Sequence, residues 1–444
     1  MTKDNHYQRL IDFLALALLA VVPLVMFPDG SRFNIAISKF YALAVLMVIF
    51  IGATLYRGRF DFQWQETENK WLLAYVGLVV VSSVLALDPK LAVFGSDARR
   101  DGLITFSFYL MAYLVGRRLR LREDVLVGAV LGSLLVIDLF GLLQFFKIDP
   151  TFLRLYPDSW RGLVFSTMGN PNFLGSYLTL TLPFTLYSYL FRSKWYGLVM
   201  YAVSYFTLLG TRTRGSWIGA MVGFLIMIWL YYHQASNKSL ARRRIVVLII
   251  LSVVLFGLFI LATEGTILQK ILALFLDVHL ILTDPEEADT AGSNRFYIWR
   301  LSVELIRQRP IFGVGVENMS VAMFQNFHDQ IVEDWGRYRN WDKAHNEYLN
   351  IALASGIPSL IAYLMFVWTI MKKAYRRLRE CPRLILFFAA AAGYLVQAFF
   401  NIQMVQVYYF FMVVLGILGS QGICLREESA FGGVVYSDHD GHGL

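Results

Sequence analysis

The chain has 444 residues, 57% of them hydrophobic and only 16% charged, with a formal net charge of +8. A soluble domain carries about 25% charged residues, so a purely soluble fold is excluded. The positive balance follows membrane topology, as shown below, and does not argue for a nucleic-acid partner. Apolar runs long enough to cross a hydrocarbon core of about 30 Å as helices recur twelve times, at about 10–27, 36–55, 71–87, 102–116, 124–146, 172–191, 195–210, 215–232, 245–262, 347–371, 384–404 and 407–424. The first is not followed by a small-residue cleavage site and is kept as a span. The prediction is an all-α integral membrane protein of about twelve transmembrane helices with one large helical extracytoplasmic loop.

Orientation follows from Lys and Arg. With the N-terminus inside, the short even-numbered connections carry the basic clusters. Examples are Arg117, Arg118, Arg120 and Arg122, then Lys238, Arg242, Arg243 and Arg244, then Lys372, Lys373, Arg376 and Arg377. Cys381 and Cys424 fall on that reducing side, so no disulfide is expected. The division is therefore 1–262 for nine helices, 263–346 for the extracytoplasmic loop, 347–425 for three helices and 426–444 for a disordered cytoplasmic tail.

The loop has its own periodicity. Ile267, Leu268, Ile271, Leu272, Phe275, Leu276 and Leu280 recur at helical spacing. An acidic break at Asp284-Pro285-Glu286-Glu287 follows. Ser293 or Asn294 then caps a second amphipathic helix from Arg295 to about Arg309, which Pro310 and Gly313-Val314-Gly315 end. A third short helix is read over Glu317–Phe327.

His345 stands where the loop meets the tenth run. Free N–H groups at a helix start disfavour imidazolium, which would keep the ring able to accept a proton. Asp342 and Glu347 are near enough in sequence to orient it. The competing reading is an interfacial capping residue. Arg212 and Arg214, Arg99 and Arg100, Arg161 and Arg295 lie on the outward side, where positive charge does not serve topology. Arginine forks bind phosphate oxygens, so the set is a candidate pyrophosphate site; headgroup contact or pairing with Asp97, Asp101 and the acidic 284–289 run is the alternative. Trp335, Tyr338 and Trp341 are candidates for stacking on sugar rings or for an interfacial belt. Asp138 is an intramembrane carboxylate, and Asn170 or Asn172 caps the sixth run. Asp438-His439-Asp440 lies in the tail, far from this set, and is set aside as a metal motif.

Taken in order, these motifs resemble a known family. Thr211-Arg212-Thr213-Arg214-Gly215-Ser216-Trp217 is similar to the SRG(A/S)W turn of the bacterial O-antigen ligase and polymerase family, with Thr213 where many members have Ser. Ser293 to Trp299 is similar to its GR..IW segment, Pro310 to Gly315 to its P..G.G, and Ala344-His345-Asn346-Glu347-Tyr348-Leu349 with Gly356 to its HN.YL signature. The resemblance implies a C-type glycosyltransferase fold and a metal-independent, inverting transfer from undecaprenyl pyrophosphate, with no cofactor. It maps the arginine pair onto Arg214 and Arg295, assisted by Arg212 and Arg161, and the loop histidine onto His345. Partners would be a lipid-linked glycan donor, a glycan or lipid A core acceptor, and the bilayer of the bacterial inner membrane, with the site facing outward. Ligase and polymerase remain open; a flippase or transporter is the alternative of another class, against which the uneven nine-plus-three arrangement speaks.

Overall fold

The structure, a computed structural model, describes residues 3–29, 32–33, 35–58, 60, 62–148, 162–265 and 291–420. Arg161, the periodic stretch 267–280, the acidic run and the tail with its Asp-His-Asp triplet lie outside these residues.

Each of the twelve apolar runs is helical. In chain order the helices are α1 (Lys3–Leu16, running on in tighter and wider turns to Leu24), α2 (Ile35–Arg57), α3 (Thr67–Val84), α4 (Pro89–Phe94), α5 (Leu103–Arg118), α6 (Glu123–Phe145), α7 (Pro171–Leu190) and α8 (Trp195–Gly210). They continue as α9 (Arg214–Gln234), α10 (Lys238–Ala262), α11 (Ala291–Gln308), α12 (Met319–Trp335), α13 (Glu347–Ser355), α14 (Ile357–Arg377), α15 (Arg383–Ala398) and α16 (Tyr408–Gly419). A two-residue antiparallel pairing, Pro28 to Phe33 and Asp29 to Arg32, closes the turn between α1 and α2.

Among the described residues six helices are long and apolar enough to cross a membrane: Lys3–Leu24, α2, α6, α9, α10 and α14. The other runs make shorter or more polar helices. α16, at 12 residues, is roughly 18 Å long at 1.5 Å per residue and is buried along its whole length against α5, α14 and α15. α7 is equally enclosed, by α8, α9 and α15, and its Ser176, Thr179, Thr181, Thr185 and Ser188 hydroxyls are satisfied by backbone carbonyls of the preceding turn or a neighbour. α10 instead buries almost nothing and exposes Val246, Ile249, Val253 and Leu261, the surface a helix turns to lipid. Where α9 crosses α15, a Cβ on Gly219 would lie 2.5 Å from the Gly393 carbonyl oxygen, so small residues set that close approach.

Three features differ from the sequence reading. The tenth run is broken: Gly356 (φ +89°) separates α13 from α14. The third loop helix extends to Trp335, and α11 begins at Ala291, with Asn294 at φ +66° marking where regular geometry starts. Cys381 is buried and disulfide-bonded, because compartment argues about redox poise and says nothing of proximity.

Polar groups inside the bundle are individually anchored. Lys39 is fully buried and its ammonium donates to the carbonyls of Val22 (3.0 Å) and Pro23 (2.9 Å), the orphan acceptors at the end of the first helix. Asp138 accepts the Ser204 hydroxyl at 2.5 Å. Asn170 caps α7 through the Asn172 amide at 2.8 Å.

Candidate functional site

The candidate residues gather at the end of the bundle where α8 passes to α9. The Thr211–Arg214 turn is built by local hydrogen bonds. Thr211 donates to the Leu208 carbonyl (2.7 Å) and its hydroxyl meets that of Thr213 (2.8 Å). The Trp217 indole closes the turn on the same Leu208 carbonyl at 2.9 Å. Thr213 thus supplies a hydroxyl that ties the turn together. Arg212, at φ +55°, is exposed, while Arg214 opens α9 and is half-buried.

Arg295 stands on α11 and faces the same space. Burial first, then the neighbouring Arg214 charge, hold its pKa below the usual guanidinium value. Two guanidinium groups this close in field mark a place where an anion is favoured.

His345 precedes α13, whose start is capped by Asn346 accepting from the Tyr348 (3.0 Å) and Leu349 (3.1 Å) amides. The imidazole is half-buried, and its pKa is lowered to about 4 by burial and then by Arg295, with Asp342 pulling the other way and Arg99 adding to the fall. The ring is therefore neutral at neutral pH. Burial and Arg295 are the causes, whereas the sequence argument invoked the helix start. The two expected orienting carboxylates are engaged elsewhere. Glu347 is buried and accepts from the Tyr363 (2.8 Å) and Tyr394 (3.0 Å) hydroxyls. Asp342 is bound in a two-pronged pair by Arg99, at 2.7 and 3.3 Å.

The chain around His345 is held at every neighbouring residue. Ala344 accepts from the Trp299 indole at 2.8 Å, and Trp299 lies one turn along α11 from Arg295. Lys343 is buried and ion-paired with Glu317 and with Asp101 (3.3 Å). Tyr109 donates to the other Asp101 oxygen at 2.5 Å. The Pro310–Gly315 turn joins this frame through backbone hydrogen bonds and through Val314, buried in one cluster with Leu353. Val314 and Gly315 donate to the Leu353 and Ala354 carbonyls, each at 2.9 Å, and Ile357 donates to Pro310 at 2.8 Å. At Gly356 a Cβ would lie 1.9 Å from the Ile311 oxygen, so the break between α13 and α14 requires glycine twice over, for φ and for space.

Arg295 thus lies within electrostatic reach of both Arg214 and His345, which come from two other, distant stretches. Arg99 is committed to Asp342 and Arg100 to Asp97 (2.6 Å), so both serve the protein's own carboxylates. Trp335 and Trp341 pack on Tyr297, with ring centroids at 5.5 and 5.4 Å, and form the loop's small core. Lys343, Asp101, Glu317 and Trp299 went unremarked as functional in the sequence. Trp299 lies inside a recognised motif, but a pairing across 242 positions, as between Asp101 and Lys343, leaves no mark in one sequence.

Comparison with known proteins bears on the same stretch. The family model described as O-antigen ligase matches residues 198–364, an interval that holds Arg212, Arg214, Arg295 and His345. A Haemophilus influenzae protein described as uncharacterized is 22% identical over 269 residues; the match spans 59% of this chain and 62% of that protein.

Proposed function

We propose, from the match of residues 198–364 to the O-antigen ligase family model, that this protein is a metal-independent, inverting glycosyltransferase of the inner membrane. It moves a glycan from undecaprenyl pyrophosphate to an acceptor hydroxyl at the outer face. The observation that supports the reading best is the electrostatic sequence Arg214, Arg295, His345, in which each group feels the next.

In this reading Arg214 and Arg295, with Arg212 at the exposed rim, hold the pyrophosphate. Its negative charge relieves their mutual repulsion. As the acceptor oxygen attacks the anomeric carbon, the bond from that carbon to the pyrophosphate oxygen breaks and charge grows on the leaving group. Fixed guanidinium donors stabilise that charge by roughly 3 kcal/mol each in comparable sites. The neutral imidazole of His345 takes the hydroxyl proton, a contribution of about 10²–10⁴ in rate. Attack opposite the leaving group inverts the centre. The twelve helices would all lie in the bilayer, and α11 and α12 would cover the site from the outer aqueous side.

The test is incubation of purified protein with a fluorescent undecaprenyl-pyrophosphate oligosaccharide, followed by gel separation. Transfer to added lipid A core, lost in His345→Ala, is the expected ligase result. A ladder without added core would make the enzyme a polymerase. Failure to transfer to any acceptor would refute the assignment and favour a flippase.

A further inference from the structure

The segment before α5 and the residues before α13 are matched charge for charge. Arg99 binds Asp342, and Asp101 binds Lys343, so two successive pairs of opposite polarity strap one loop to the other. Glu317, at the turn into α12, binds Lys343 from a third direction and accepts from the Ser96 hydroxyl at 3.1 Å. Lys343, Asp101 and Glu317 have side chains only 5%, 5% and 3% exposed. Removing one member of such a group leaves a buried charge uncompensated. Burial works against Lys343 carrying its proton, and the Glu317 and Asp101 carboxylates outweigh it, so its pKa is raised. Three residues of this small region, Arg100, Glu317 and His345, have φ of +53°, +61° and +50°. Such a conformation is strained for a residue with a side chain and persists only where neighbours fix it.

We propose that Arg99–Asp342 and Asp101–Lys343–Glu317 form a clasp that positions His345, acting on transfer through the imidazole without touching the donor. Resting on the glycosyltransferase reading for its catalytic consequence, the clasp accounts for outward arginine and lysine that topology does not. It holds the backbone on the N-terminal side of His345, while the Asn346 cap and the Glu347–tyrosine bonds hold the other side. The ring itself accepts no hydrogen bond from the described residues and is left for the substrate.

The experiment is a double-mutant cycle in nanodiscs with Arg99→Met, Asp342→Asn and the pair together, alongside Lys343→Met and Lys343→Arg. Two quantities are read: steady-state kcat with donor KM, and the rate at which diethyl pyrocarbonate modifies His345, followed by mass spectrometry. The clasp predicts that each single change lowers kcat by about 10- to 100-fold, the range for a misplaced reacting group, with donor KM unchanged. The double variant should be no worse than the poorer single. Lys343→Arg should recover most of the kcat that Lys343→Met loses. Modification of His345 should quicken in every variant that loses rate. A rise in donor KM in Arg99→Met at constant kcat would make Arg99 a phosphate ligand and overturn the proposal. So would multiplicative losses in the double variant, or wild-type modification rates throughout. The modification arm decides the clasp even if no glycan transfer is found, so its failure and that of the functional assignment are separable.

Discussion

In the proposed reaction, the separation between the acid limbs of kcat/KM and kcat measures the coupling of His345 to the bound pyrophosphate. In the free protein the imidazole pKa is lowered to about 4, first by burial and then by Arg295. An ordinary imidazole is half protonated near pH 6.5, whereas this one is protonated in about one molecule in 300 at that pH. Activity that needs the neutral ring is lost as pH falls through its pKa. The profile of kcat/KM, which reports the free enzyme, should therefore stay level down to a limb near pH 4. Bound pyrophosphate offsets Arg295 and raises the imidazole pKa, so the limb of kcat should lie about 1–2 units higher. The assay is initial rates of glycan transfer at subsaturating and saturating donor from pH 4 to 8. Ordinary carboxylates titrate near the lower end of this range, so Arg295→Gln supplies the attribution: removing that charge should move the kcat/KM limb upward. Coincident limbs, or a kcat/KM limb near 6.5 that ignores Arg295→Gln, would refute the reasoning.

Other outcomes follow from the same geometry. Arg214→Ala and Arg295→Ala should each lose about 10²–10³ in kcat with melting temperature retained, as measured by tryptophan fluorescence in detergent. Gly356→Ala should lower the melting temperature, because it combines about 1–2 kcal/mol of left-handed strain with a contact of 1.9 Å to the Ile311 oxygen; an unchanged melt would contradict the packing described. Asp138→Asn should transfer glycan at the wild-type rate, since an amide oxygen still accepts from Ser204. A large loss there would argue for a coupled ion or proton, as in a transporter.

The helices were readable because apolar run length is a direct statement about bilayer crossing or core burial, and all twelve runs are helical. Run length does not tell a lipid-facing helix such as α10 from an enclosed one such as α7. That difference lies in which partners cover each side, as with the polar Asn172, Ser176 and Thr179 that find hydrogen bonds inside the bundle. The break at Gly356 was missed for the same reason: hydropathy runs straight through it, while the carbonyl of Ile311 that demands it comes from 45 residues earlier. Arg214, Arg295 and His345 could be singled out because each sits in a short motif with unusual charge or chemistry. Arg99 looked the same as they do. Its distance to Asp342 is what shows Arg99 to hold the scaffold.

The seam between the Pro310–Gly315 turn and the α13–α14 break is made of main-chain amides and carbonyls. Glycines let the two backbones approach, and the Val314 and Leu353 side chains are buried in one cluster beside them. The stretch carrying α11 and α12 is joined to the rest by this seam and by the Asp342–Arg99 and Lys343–Asp101 pairs. Chimeras that exchange residues 291–346 between relatives should assemble where Gly313, Gly315, Glu317, Asp342 and Lys343 are kept and the recipient retains Arg99, Asp101 and Gly356.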